Sequence, residues 1–91
     1  MFFQAIVSLG QNSTFELSKV VIDAGHGGKD PGASIGAVKE KDIVLDVALQ
    51  TGRLIKEQFP NVQVIYTRNE DVFVPLDQRA EMANQQKADL F

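Results

Sequence analysis

Cysteine is absent from this chain. Its absence excludes a disulfide framework, a thiolate metal site and a cysteine nucleophile. It leaves the compartment open, since exported proteins can also lack cysteine. Histidine occurs once, as His26, so no site built on two imidazoles can come from this chain. Lysine and arginine never gather into a run, and the formal net charge is −3. A nucleic-acid footprint needs clustered cations, so that class of partner is not expected. No stretch approaches the roughly 20 apolar residues of a membrane span, and no integral membrane segment is expected.

What is present fits one small folded unit. The chain has 91 residues, enough for a single domain and too few for two. Hydrophobic residues at 44% and charged residues at 23% argue against intrinsic disorder. Met1 to Leu9 is apolar, but it lacks the positive start and small-residue cleavage site of a signal peptide. It reads better as a remnant of an upstream region or an irregular start, including a strand, with a degraded or truncated signal peptide as the lesser alternative. Gln11 to Ser18 is polar and reads as a linker or a loosely held strand. The expected organisation is therefore an N-terminal segment over 1–18 and a domain over 19–91.

Lys19 to Asp23 is a β-branched run bounded by a turn signal, which predicts a buried strand. Ala24 to Gly36 holds five glycines and Pro31 and predicts a loop. Lys41 to Phe59 has helical periodicity, with Val44, Val47, Ala48, Thr51, Leu54 and Ile55 on one face. Pro60 ends that helix. Val62 to Thr67 predicts a second strand, and Arg68 to Val74 a charged loop. Pro75 suits the start of a second helix running to about Gln86, with Leu76, Arg79, Ala80 and Ala83 sharing a face. Ala88 to Phe91 predicts a third strand. The order β-α-β-α-β implies an α/β fold, a mostly parallel or mixed sheet flanked by helices in a three-layer arrangement.

Chemistry concentrates at the first loop. In open α/β sheets, ligands bind beyond the carboxyl ends of the strands, where His26 falls. A histidine between glycines is poor core material, and imidazole is a frequent metal ligand and acid/base group. A surface histidine without a task is an equal reading of that position. The loop does not suit phosphate: Gly28-Lys29 is followed by Asp30 rather than Ser or Thr, and Pro31 and Gly32 delay any helix. Glu40 stands at the mouth of the first helix. A carboxylate there suits the helix dipole, and it is also a plausible metal ligand near His26. Asp23 is either an acceptor for a histidine N–H or a turn aspartate. Arg68 and Arg79, with Glu70, Asp71 and Asp77, read as a structural ion-pair cluster of little energetic weight. The residues themselves offer two plausible ligands and no convincing third.

Val21-Ile22-Asp23-Ala24-Gly25-His26-Gly27-Gly28-Lys29-Asp30-Pro31-Gly32-Ala33 resembles the opening motif of N-acetylmuramoyl-L-alanine amidases of the amidase_3 type. Glu40-Lys41-Asp42, Thr67-Arg68-x-x-Asp71 with Leu76-x-x-Arg79, and Ala83-Asn84 through Ala88-Asp89-Leu90-Phe91 follow in the family's order, so the resemblance spans Lys19 to Phe91. It implies a hydrolase that cleaves the amide between N-acetylmuramic acid and L-alanine of peptidoglycan. It implies Zn2+ as cofactor, His26 and Glu40 as two of three metal ligands, and peptidoglycan as partner in the periplasm or cell wall. In the family a third ligand, a histidine, follows the strand starting at Ala88, and a general-base glutamate comes later; this chain has neither. The resemblance thus implies no catalytic residue here, an incomplete sheet, and a polypeptide that is inactive alone and only marginally folded. The alternative is a non-catalytic peptidoglycan-binding or degenerate fragment.

Overall fold

A computed structural model describes residues 16–91. The readings of Met1–Leu9 and of most of Gln11–Ser18 lie outside the described residues. Strand β1 (Lys19–Ile22) is followed by the short strands β2 (Ser34–Ile35) and β3 (Val38–Lys39). Helix α1 (Glu40–Gln58), strand β4 (Gln63–Tyr66) and helix α2 (Leu76–Gln85) complete the order.

The β-branched run over residues 19–22 forms β1 because both of its faces find cover. Val20 and Val21 are buried together with Ala24, Ala48, Val62, Val64 and Ala83. β1 pairs in parallel with β4, with Val20 opposite Val64 and Ile22 opposite Tyr66. On its other edge, Val20 bridges Leu90, also in parallel. The expected third strand over Ala88 to Phe91 contracts to this single bridge. Its ladder consists of two bonds, Asp89 N–H to Lys19 C=O and Val21 N–H to Leu90 C=O. Side-chain chemistry reinforces it: Asp89 Oδ2 accepts from Ser18 N–H, Ser18 Oγ–H and Lys19 N–H, each at 2.9 Å. These donors, the Ser18 backbone N–H first, hold the Asp89 carboxyl below the usual carboxylate range. The fold is therefore mixed α/β, with a parallel layer centred on β1.

The loop expected over Ala24 to Gly36 contains a strand. β2 and β3 form an antiparallel hairpin, Ser34 opposite Lys39 and Ile35 opposite Val38. Gly36 takes φ +60 at its turn with no neighbour near its missing side chain, so the turn needs a glycine for conformation, not for space. A high glycine count masked one tight hairpin.

Helix α1 starts at Glu40 and ends against Phe59, within one residue of expectation. Its buried face differs. Lys41, Ala48 and Gly52 are buried, whereas Val47 and Leu54 are more than half exposed and Thr51 faces solvent. Large apolar residues cover a wide arc of this helix, with Ile43, Val47, Leu49 and Leu54 exposed, so periodicity alone does not select the buried face. Small residues do. A Cβ at Gly52 would overlap the Tyr66 ring and hydroxyl, so glycine lets α1 approach β4. In α2 the buried pair is Arg79 and Ala83, while Leu76 is 85% exposed and Ala80 lies outside. Leu76 is the first residue of the helix.

Two predictions follow from this packing. Alanine favours a helix over glycine by about 1 kcal/mol, yet Gly52→Ala is expected to destabilise the chain by about 1 kcal/mol net, because overpacking outweighs propensity. Urea unfolding measures it, and a stabilised variant would contradict the α1–β4 contact. Asp89 has a depressed folded pKa, so its stabilisation is complete above its unfolded value of 3.8 and is lost as pH falls through the lower folded value. The stability gap between the chain and Asp89→Asn should therefore be present at neutral pH and close in acid below 3.8. A gap that persists there would exclude the carboxylate as its source.

Candidate functional site

β1 ends at Ile22 and the chain leaves the sheet through Asp23 and Ala24, alongside Thr67 at the end of β4. The backbone then reverses. His26, Gly27 and Gly28 all take positive φ, at +60, +114 and +57, and Gly27 and Asp30 exchange backbone hydrogen bonds at 2.8 and 3.0 Å. A side chain at Gly27 would strike the Val72 carbonyl and the Arg68 guanidinium. Gly32, at φ +67, lies between His26 and Glu40. A Cβ there would come within 2.9 Å of both. The glycines therefore let two side chains from separate segments meet over a tight turn.

Those side chains are His26 and Glu40, the two sequence candidates. His26 Nε2 lies 3.2 Å from Glu40 Oε2. On the ring's other side, Nδ1 lies 2.9 Å from Asp30 Oδ2. Asp30 Oδ1 accepts from Gly32 N–H at 3.1 Å, and Glu40 Oε1 accepts from Ala33 N–H at 2.9 Å. The Asp30 hydrogen bond, with Glu40 adding to it, raises the His26 pKa above 6.5. The same bond from His26, then the Gly32 N–H, lowers Asp30. The Ala33 N–H is the main cause that lowers Glu40, with His26 helping.

Asp23 does not serve the imidazole. Its Oδ1 accepts from Thr67 Oγ1–H at 2.8 Å and from Arg79 Nη1 at 2.7 Å. Asp30 has the partner role that Asp23 was a candidate for. The signal for it was the four-residue spacing from His26 across Gly27-Gly28, which lets the chain fold back on itself.

Arg68 and Arg79 are not a surface ion-pair cluster. They are 4% and 3% exposed. Arg68 donates to the carbonyls of Ala24 (2.9 Å), Gly25 (2.8 Å), Lys41 (3.0 Å) and Glu70 (2.9 Å). Arg79 donates to the carbonyls of Val74 (2.7 Å), Ala24 (2.7 Å) and His26 (2.8 Å), besides its bond to Asp23. Asp71 pairs with Lys41 Nζ at 2.9 Å and accepts from Gly28 N–H at 2.8 Å. Neither Glu70 nor Asp77 forms an ion pair with these arginines. A glycine-rich loop leaves carbonyls without a ladder partner, and that shortage was the legible hint that buried donors must supply them.

The donor set can be tested against a metal. Two ligand atoms 2.0–2.2 Å from a tetrahedral ion stand roughly 3.4 Å apart. The imidazole and carboxylate approach that spacing, and a carboxylate on the far ring nitrogen is the usual support for a metal-bound histidine. Among the described residues, no group of three or more His, Cys, Asp or Glu could hold a metal ion. The pair fits as part of a ligand set.

An α/β domain with an imidazole–carboxylate pair at the carboxyl edge of its sheet is the class these features define. The sequence profile of Amidase_3, N-acetylmuramoyl-L-alanine amidase, matches residues 20–91, and the chain belongs to that family. It is 49% identical over 76 residues to the endolysin of Bacillus phage SPP1, covering 82% of this chain and 28% of the endolysin. It is 47% identical over 74 residues to the N-acetylmuramoyl-L-alanine amidase AmiC of Escherichia coli, covering 79% of this chain and 17% of AmiC. The solved catalytic domain of CwlV, an N-acetylmuramoyl-L-alanine amidase from Bacillus (Paenibacillus) polymyxa var. colistinus, superposes with a TM-score of 0.74 at 42% identity. That match covers 79% of this chain and 41% of the CwlV chain. The chain thus spans under a third of these two curated relatives.

The Asp30 contact yields a direct test. Asp30→Asn removes the negative partner that most raises His26, so the His26 pKa should fall back toward 6.5. With one histidine in the chain, its ring-proton NMR signal reports this without ambiguity. An unchanged titration would mean that Asp30 does not hold the ring in solution.

Proposed function

We propose that this chain supplies part of the zinc site of a peptidoglycan amidase, with His26 and Glu40 as two of the ligands. The reaction is hydrolysis of the amide between N-acetylmuramic acid and L-alanine. The observation that carries the reading is the 3.2 Å approach of His26 Nε2 to Glu40 Oε2 with Asp30 behind the ring. Family membership supports the substrate class.

The chain's residues have distinct tasks in this reading. Asp30 accepts the Nδ1 proton, so the lone pair of a neutral His26 lies on Nε2, toward Glu40. The Ala33 N–H holds one Glu40 oxygen and leaves the other facing the imidazole. The depressed Glu40 pKa keeps it anionic at neutral pH. Zinc, when held there, supplies Lewis-acid polarisation of the scissile carbonyl. A catalytic zinc site uses three protein ligands and a water position, and proton transfer needs a base within hydrogen-bond reach. The described residues offer two such ligands and no carboxylate free of a partner at the pair. We assign no catalytic base, and we expect the 91-residue polypeptide by itself to be without hydrolytic activity. The substrate places the working protein in the periplasm or cell wall. Among the described residues, no helix is long and apolar enough to cross a membrane.

Zinc titration of the purified chain, followed by calorimetry, is expected to give one weak site that His26→Ala abolishes and Glu40→Gln weakens. Undiminished binding by His26→Ala would overturn the ligand assignment. Dye release from labelled peptidoglycan is expected to stay at background with zinc present. Release above background would overturn the expectation that a third ligand and a base are needed.

A further inference from the structure

His26 and Glu40 belong to two segments, the loop after β1 and the first turn of α1. Their spacing is therefore a tertiary property and needs something to fix it. Arg68, just past the end of β4, touches both segments through one nitrogen. Its Nη2 donates to the carbonyl of Gly25, the residue before His26, and to that of Lys41, the residue after Glu40. Arg79, on α2, donates through Nη2 to the carbonyl of His26 itself. His26 sits at φ +60, a conformation costly for a residue with a Cβ and kept only where surroundings enforce it. Both guanidiniums also meet at the Ala24 carbonyl, which accepts from Arg68 Nε and Arg79 Nη1.

We infer that Arg68 and Arg79 are positioning residues. Through the backbone carbonyls on either side of the pair, they set the separation of His26 and Glu40, and so the affinity and geometry with which the pair holds a divalent cation. The inference rests on the metal-ligand reading proposed above. The chemistry favours arginine specifically. A planar guanidinium directs several N–H groups at fixed angles, and one Nη reaches two carbonyls of different segments. Lysine keeps the charge but offers a single nitrogen on a flexible stem, so it cannot reproduce the fork. A purely structural arginine would change stability and leave the folded protein's metal site as it was. A positioning arginine changes the site in molecules that are still folded.

The test uses the full chain as unsubstituted protein and as Arg68→Lys, Arg79→Lys and Gly52→Ala. It is run where circular dichroism shows each to be folded. Zinc affinity and the visible spectrum of the cobalt(II)-loaded protein are the readouts. The lysine variants are expected to bind zinc about tenfold or more weakly, with shifted cobalt bands. Gly52→Ala, which perturbs α1 away from the loop, is expected to keep both. Unchanged affinity and spectrum in the folded lysine variants overturn the inference, as does equal weakening in Gly52→Ala. If the lysine variants do not fold, the Nη–H NMR signals of Arg68 and Arg79 in the unsubstituted chain, followed through a zinc titration, decide it. Signals that shift as zinc binds are expected, and signals that stay in place overturn it. His26→Ala separates the two levels. Undiminished zinc binding there removes the ligand reading and the inference together, whereas loss there without loss in the arginine variants removes the inference alone.

Discussion

Everything at the carboxyl edge of this sheet depends on how the carbonyls of the glycine-rich loop are satisfied. The loop must leave the sheet, reverse and return, so its backbone cannot form a ladder. Each buried carbonyl left unpaired would cost about 1–3 kcal/mol. Arg68 and Arg79 supply the donors: Ala24, Gly25 and His26 all give their carbonyls to these two side chains. The exchange holds in both directions. A buried guanidinium is costly unless its own N–H groups are paired, and a loop dense in glycine presents carbonyls that no side chain obstructs. Gly27 shows how tight the fit is, since any Cβ there would meet the Arg68 guanidinium and the Val72 carbonyl.

This constraint explains why residues distant in sequence form one unit. Thr67 and Arg68 follow β4, Asp71 lies in the next loop and Arg79 on α2, yet all face the segment after β1. Asp71 receives the Gly28 N–H with one oxygen and Lys41 with the other, and Lys41 also donates to the Gly28 carbonyl at 3.1 Å. Lys41 is therefore buried at the start of α1 for a polar reason. The parallel pairing of β1 with β4 sets Ile22 opposite Tyr66 and gives the Ile22 carbonyl the Thr67 N–H, which delivers Arg68 to the loop.

Much of this was legible in the sequence, and the failures share a cause. β1, β4 and both helices follow from β-branched runs, helical periodicity and prolines, because those signals are local. His26 and Glu40 stood out for the same reason, one by its glycine neighbours and the other by its helix start. The readings that needed correction depended on what lies opposite. The buried face of α1 is not legible because its apolar residues cover an arc wider than the sheet contact, and the choice falls to the small pair Ala48 and Gly52, the latter against Tyr66. The burial of Arg68 and Arg79 is not legible because nothing local separates an exposed cation from one buried among carbonyls. Asp23 was the candidate partner of the histidine, and only the turn at Gly27 and Gly28 gives that place to Asp30. The strand after Ala88 was legible in direction but not in extent, since a ladder depends on its partner edge.

The same network gives the loop an electrical polarity. Its carbonyls at residues 24, 25, 26 and 28 point back at Arg68, Arg79 and Lys41. Two of its N–H groups, at Gly32 and Ala33, point the other way and meet the carboxylates of Asp30 and Glu40. The charges of Arg68, Arg79 and Lys41 are thus spent behind the backbone on carbonyls and on Asp23 and Asp71, and Lys29 lies over the Phe73 ring, while two carboxylates flank His26 in front. A glycine-rich loop that receives phosphate does the reverse and turns free N–H groups and a lysine toward its ligand. Here the N–H groups of Gly27, Gly28, Asp30, Gly32 and Ala33 are occupied, Lys41 is paired, and carboxylates stand on both sides of the imidazole. That arrangement favours a proton or a metal cation at Nε2 of His26 over an anion, and it follows from the arginines as directly as the loop's shape does.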